Sequence, residues 1–275
     1  MHYLLPIQLN QIFTAETLMT PRSEWMHYNL ATVEHQARDA HHSFDVVPVE
    51  DAGRVVGVIL QSSREYRPLN EEWLISQDTS IPHLLDLFVR MGQQAYLVVH
   101  QQQIVGIVTP ADLNKLPARV YVYHVIGGLE MALAERIREM YRNNPDEVLQ
   151  LLGNRAPHVR DSQGETTTGN VEVDDVYYLD LSDLVTVLQK SDALRVKLGY
   201  TSRKAAEKAL GGIVDLRHRV MHTVRPLILK QRGDEGLEQL QERLQIATAA
   251  IAALAESPAP TDAVLSIDPS VAQTA

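Results

Sequence analysis

No cysteine occurs in the 275 residues, which excludes disulfides and thiolate metal sites while leaving the compartment open. The opening Met1-His2-Tyr3-Leu4-Leu5-Pro6 lacks a basic segment followed by a long apolar run, and no stretch approaches ~18 uninterrupted apolar residues. A soluble, cytoplasmic chain without a membrane span is expected. Also missing are Gly-x-x-x-x-Gly-Lys-Ser/Thr, Gly-x-Ser-x-Gly and His-Glu-x-x-His, which leaves kinase, hydrolase and zinc-protease chemistry without support.

What is present begins with an internal repeat. Val46-Val47-Pro48-Val49, a turn, and Val55-Val56-Gly57-Val58-Ile59 recur as Tyr96-Leu97-Val98-Val99, a turn, and Ile104-Val105-Gly106-Ile107-Val108, with the two glycines 49 residues apart. A helical-looking stretch precedes each copy, Ala31 to His42 and Ile81 to Met91. The unit therefore reads helix, strand, hairpin turn, strand. One hairpin with one helix leaves apolar surface bare, so the copies are expected to pack about a pseudo-twofold axis with a ligand cleft at their seam.

Helical periodicity returns at about Ala118 and runs through Val125, Ile126, Leu129, Leu133, Ile137 and Met140 to Pro145, with Glu147 to Leu152 as a short continuation. Turn formers and charges mark residues 155–177 as an excursion. Leu181 to Leu198 with a Ser182 cap, a helix opening at Ser202, and Glu235 to Ala255 complete an all-helical second half. Ser257-Pro258-Ala259-Pro260 begins a tail predicted to be disordered to Ala275. The fold class is α+β: residues 1–13 lead in, 14–115 form the repeat pair (14–66 and 67–115), and 118–256 form a helical bundle.

Net charge is −10, which argues against indiscriminate nucleic-acid binding. Between Arg195 and Arg232, however, ten Lys and Arg stand against Glu207 and Asp215 alone, a local +8. Such an island is either a solvated helix face or a phosphate contact.

The second repeat ends Gly106-Ile107-Val108-Thr109-Pro110-Ala111-Asp112-Leu113, a strand running into a helix start. Residues 14–115 here resemble the tandem CBS pair, or Bateman module, with Thr17-Leu18-Met19-Thr20-Pro21 and Ile75 to Ile81 as the openings of the two units. The resemblance implies an adenine nucleotide (AMP, ADP or ATP) as regulatory ligand, with Thr109 and Asp112 on its ribose and sometimes a phosphate. Apart from the resemblance, Lys115 or Arg119 is close enough in sequence to be a candidate phosphate contact. The residues themselves fit a plain helix start equally well, with Thr109 as N-cap, Pro110 first and Asp112 third. The first unit carries Leu60 and Ser63 at the matching positions, so one site is expected rather than two.

Val214-Asp215-Leu216-Arg217-His218-Arg219-Val220-Met221-His222-Thr223-Val224-Arg225-Pro226-Leu227 resembles the motif of HEPN helical domains. Their ribonuclease members carry an Arg, a polar residue, and a His four to six residues on, and act as homodimers without metal. The resemblance implies a metal-independent endoribonuclease with Arg217, His218 and His222 as catalytic residues, and Arg219 and Arg225 as RNA contacts. Spacing alone is uninformative, because Arg22 with His27 and Arg119 with His124 share it. At about 100° per residue, Ile213, Leu216, Val220, Val224 and Leu227 are expected on one stripe, with His218, His222 and Arg225 opposite. A histidine moves a proton near neutral pH while guanidinium groups stabilise charge on phosphate oxygens. A solvated face, a dimer contact, or zinc on His218 and His222 are the competing readings; zinc lacks an evident third ligand. His35, His41 and His42 read as polar surface, and Glu130 as a solvated residue that could support the motif. The rival to the enzyme is a nucleotide-responsive adaptor that binds a protein or RNA partner.

Overall fold

The computed structural model describes residues 6–33, 35, 44–159, 175–228 and 235–256. Each repeat forms the hairpin that its alternation demands. In the first, β3 (Val46–Asp51) and β4 (Arg54–Leu60) pair antiparallel with Asp51 opposite Arg54. In the second, β7 (Tyr96–His100) and β8 (Gln103–Val108) pair with His100 opposite Gln103. Two-residue hairpin connections favour primed turns, of which the type I′ turn takes positive φ at both central residues. Ala52 and Gly53 adopt it, and so do Gln101 and Gln102. Both hairpins also shift register at one equivalent place, Val49/Glu50 and Val98/Val99.

Short strands complete two four-stranded sheets: β1 (Thr20–Pro21), β2 (Tyr28–Asn29), β5 (Glu65–Pro68) and β6 (Leu74–Ser76). The orders are β2-β3-β4-β5 and β1-β8-β7-β6. The chain's early residues thus lie on the second unit: after α1 (Pro6–Ile12) and α2 (Ala15–Leu18), β1 runs against β8, with Thr20 opposite Ile107. Backbone N–H groups of Ala15 and Glu16 bond the carbonyls of Thr79 and Gln77 at 2.8 and 3.0 Å. Gly106 permits this close crossing, because a Cβ there would stand 2.9 Å from the Thr20 carbonyl oxygen of β1.

The seam between the units is apolar, as the repeat pattern implies. Val46, Val55 and Val58 of the first hairpin pack with Leu97 and Ile107 of the second, joined by Trp25 and Trp73. Tyr28, Val47, Val49 and Ile59 form a separate cluster on the first sheet. The helix expected over Ala31 to His42 falls largely outside the described residues; a 3-10 turn, Leu30–Thr32, marks its start.

A single continuous core joins the second unit to the helical half. It runs from α3 (Ile81–Met91), through Leu84, Leu85 and Phe88, to Val122, Leu129 and Ile137 of α4 (Leu116–Met140). Each such side chain contributes about 1.5–3 kcal/mol by leaving water. α6 (Leu181–Lys190), α8 (Arg203–Met221) and α9 (Glu235–Ala255) pack around α4, while α5 (Pro145–Leu152) and α7 (Asp192–Lys197) pack on α6. The one helix expected from Leu181 to Leu198 is two. Asp180, not Ser182, caps the first by accepting from the Asp183 N–H at 2.9 Å. Ser191 then caps the second while its Oγ accepts from the Tyr141 hydroxyl at 2.9 Å. Residues 160–174, most of the excursion, and the tail 257–275 lie outside the described residues.

Candidate nucleotide corner and cationic helix end

Thr109 and Asp112 meet as the end of β8 turns into the 3-10 turn Pro110–Asn114. The Asp112 carboxylate, buried, accepts from the Thr109 backbone N–H at 2.6 Å and from its hydroxyl at 2.9 Å. Lys115 closes the corner: its ammonium lies 2.8 Å from Asp112 Oδ1, donates to the Leu18 carbonyl at 2.7 Å, and stands 3.4 Å from Thr20 Oγ1. The two candidate nucleotide residues are therefore together, with a cation from α4's start and a hydroxyl from β1 beside them. That corner offers a carboxylate, two hydroxyls and an ammonium, the groups that a ribose phosphate needs.

Arg119, the other candidate phosphate contact, is occupied elsewhere. It is buried, and its guanidinium donates to the carbonyls of Asn114 at 3.2 Å, Arg219 at 3.1 Å, and Arg225. Asn114 Oδ1 in turn accepts from the Ile228 N–H at 3.0 Å. The last turn of α8 leaves carbonyls without helical partners, and Arg119 satisfies that of Arg219 together with the carbonyl of Arg225 beyond the helix. One residue thus fastens the end of the nucleotide corner to the segment that carries the cationic motif.

That segment departs from the expected stripe. α8 stops at Met221, so Val224 leaves the apolar side and is 92% exposed, while Ile213, Leu216, Val220 and Leu227 remain buried. His218 and His222 are exposed on the last turn and just beyond it, as is Arg225, and Arg219 is half-buried. The charge of half-buried Arg217 acts on Glu130 of α4 and favours its ionised form.

Glu130 is not a solvated residue. Burial pushes its carboxyl above the ordinary range, the Arg217 charge opposes that shift, and Asp180 adds to it. Burial also drives Asp180 upward, but hydrogen bonds from Ser182 and the Asp183 N–H, with the charge of Arg155, outweigh it and hold that carboxyl low. Arg243 on α9, lowered by burial and by the charge of Arg219, extends the positive field around the end of α8. Spacing could not reveal the electrostatic pairing of Glu130 with Arg217, because they lie 87 positions apart. Arg119 did leave a signal, since it falls on the buried arc of α4 with Val122, Ile126 and Leu133. Among the described residues, no three His, Asp or Glu side chains converge to hold a metal ion.

Residues 72–119 match the family model of the CBS domain, so the chain contains a CBS domain over its second repeat. Three solved structures are similar. One is the CBS domain of the bacterial CNNM/CorC family Mg2+ transporter in complex with ATP, at 20% identity over 39% of this chain and 89% of that one, with a TM-score of 0.32. Another is CBSX2 in complex with AMP, at 15% identity over 39% and 98%, also 0.32. A third is the CBS domain of a putative transporter from Clostridium difficile 630, at 16% identity over 38% and 93%, again 0.32. No curated protein matches the chain. No helix among the described residues is long and apolar enough to cross a membrane.

Proposed function

We propose that the chain is an adenine-nucleotide-responsive regulator in which AMP, ADP or ATP, held at Thr109 and Asp112, controls a helical domain that cleaves RNA without metal as a homodimer. The observation that carries this reading is the bonded path from the corner to the motif. Asp112 binds Lys115, Asn114 binds Ile228, and Arg119 binds the carbonyls of Arg219 and Arg225, which bracket His222. A nucleotide that prefers one placement of residues 109–115 biases the placement of residues 219–228, by at most its difference in affinity for the two placements.

The chemistry suits the exposed groups. His222 accepts the proton of an RNA 2′-hydroxyl as that oxygen attacks the adjoining phosphorus, Arg219 and Arg225 stabilise the charge on the phosphoryl oxygens, and His218 protonates the leaving 5′-oxygen. A cyclic phosphate and a free 5′-hydroxyl result, and the proton count balances. A second reading, a non-enzymatic adaptor for protein or RNA under nucleotide control, is favoured by one observation: the charge of Arg217 is engaged electrostatically by Glu130 of α4.

Incubation of the purified chain with structured RNA in EDTA, with and without AMP or ATP, beside the Arg217→Ala/His222→Ala double variant, separates the two. Cleavage that is lost in the variant and altered by nucleotide supports the enzyme. Nucleotide binding without cleavage under any condition supports the adaptor.

A further inference from the structure

A cavity of about 700 Å³ opens where α9 packs on α3 and α4, between the second repeat and the helical half. Leu85 of α3 and Leu244, Ala249 and Ala252 of α9 give it largely apolar walls. Sites that enclose a small organic molecule have volumes of about 300–1,000 Å³ and gather at such boundaries. The cavity shares no residue with the corner at Thr109, Asp112 and Lys115.

Three polar side chains on its lining have no hydrogen-bond partner among the described residues. The side-chain carbonyl oxygen of Asn10, on α1, is wholly buried and unpaired. Tyr121, on α4, is only 3% exposed, yet its one described side-chain contact is the Phe13 ring, and its hydroxyl bonds no described group. Ser80 stands at the N-cap of α3 without capping it. Buried polar groups are nearly always paired, because leaving water without gaining a partner is costly. Three such groups on one apolar cavity point to a molecule that supplies the missing bonds.

The lining also says what that molecule is. An amide oxygen only accepts, so Asn10 needs an N–H or O–H. Burial pushes the Tyr121 hydroxyl up to about 12, so it stays protonated and able to donate at neutral pH. Charge is poorly served. Among the described residues no lysine or arginine lines the cavity, and the one carboxylate, Asp86, already holds Arg90 at 2.8 Å and Gln241 at 3.1 Å. His83, also on the lining, is exposed. An anion would lose its hydration here without a cation to replace it. We propose that this cavity binds an uncharged, largely apolar small molecule that bears an N–H or O–H for Asn10. Such a ligand touches α1, α3, α4 and α9 at once, and so ties the second repeat to the last helix at a place separate from the nucleotide corner.

Three compounds of one shape test this. N-phenyl-1-naphthylamine is uncharged, carries a single N–H and fluoresces on leaving water. 8-Anilinonaphthalene-1-sulfonate adds a negative charge to the same skeleton, and 1-phenoxynaphthalene replaces the N–H by an ether oxygen. The purified chain is expected to bind the amine saturably, one per chain. The sulfonate, and the ether measured by displacement, should each bind about tenfold more weakly. Asn10→Leu should make the amine and the ether equal. Ala249→Trp, at an exposed position of α9 on the lining, should abolish binding with circular dichroism unchanged, whereas Glu207→Trp, exposed on α8, leaves it intact. No saturable binding of the amine by the wild-type chain, wild-type binding by Ala249→Trp, or a sulfonate or ether that binds as tightly as the amine would each overturn the proposal.

Discussion

The two repeats share their hairpins to the residue: the same left-handed turn pair, the same register shift, the same apolar seam. They part at the end of the second strand. In the first unit Leu60 and Ser63 lead to the exposed strand β5, with no carboxylate at the turn. In the second, Thr109 and Asp112 lock together and the chain passes within three residues into α4. The hairpin is therefore the frame, and its exit sets which polar groups stand at the corner and whether the unit runs directly into the helical half. Position 70, the counterpart of Arg119 in the first unit, is an asparagine that caps a 3-10 turn; Arg119 grips another domain.

This contrast sets the size of what substitutions should do. Arg119→Met leaves the carbonyls of Arg219 and Arg225 without their buried donor and should cost about 3 kcal/mol in denaturant unfolding, whereas Asn70→Ala, a lost cap, should cost about 1 kcal/mol or less. Equal costs would erase the distinction. Asp112→Ala should weaken AMP or ATP binding about tenfold or more, about 1.4 kcal/mol, while Ser63→Ala leaves calorimetric affinity and a one-to-one stoichiometry unchanged. Arg225→Ala should lower RNA affinity uniformly across sequences and reduce the slope of log affinity against log salt by about 1; a matching change from Arg54→Ala, in the first unit, would show that net charge alone is read.

The smallest effect concerns Glu130. Its carboxyl is raised in the folded chain chiefly by burial, so folding favours the protonated form, and that stability is lost as pH rises through the raised value. Glu130→Gln should therefore raise the melting temperature at pH 7 and above, with the gain fading as pH falls toward the ordinary carboxylate range. A variant less stable at neutral pH would mean that the Arg217 attraction outweighs burial.

Much of the fold was legible because its signals are local. Alternating apolar residues with a glycine in each second strand identify the hairpins, and 3.6-residue periodicity identifies α4, α8 and α9. The strands β1, β2 and β6 have two or three residues each, too few for a period to register, and β1 finds its partner more than 80 residues away. The stripe through Val224 overran because no glycine or proline interrupts the pattern before Pro226, yet α8 ends at Met221, where Arg119 takes the carbonyls just around it. Thr109 and Asp112 were legible as a pair, since three residues separate them. The link between Arg217 and Glu130 belongs to helix packing, which no spacing encodes.

The central claim is that the second unit's ligand reaches the His222 segment through residues 114–119. Hydrogen exchange of the chain with and without saturating ATP or AMP tests it most directly, because backbone amides at 219–228 report that segment whether or not RNA is cut. The account predicts a change in protection at residues 109–119 and again at 219–228, with the second abolished in Arg119→Met while the first persists. Nucleotide binding that alters residues 109–119 alone in the wild-type chain would contradict it.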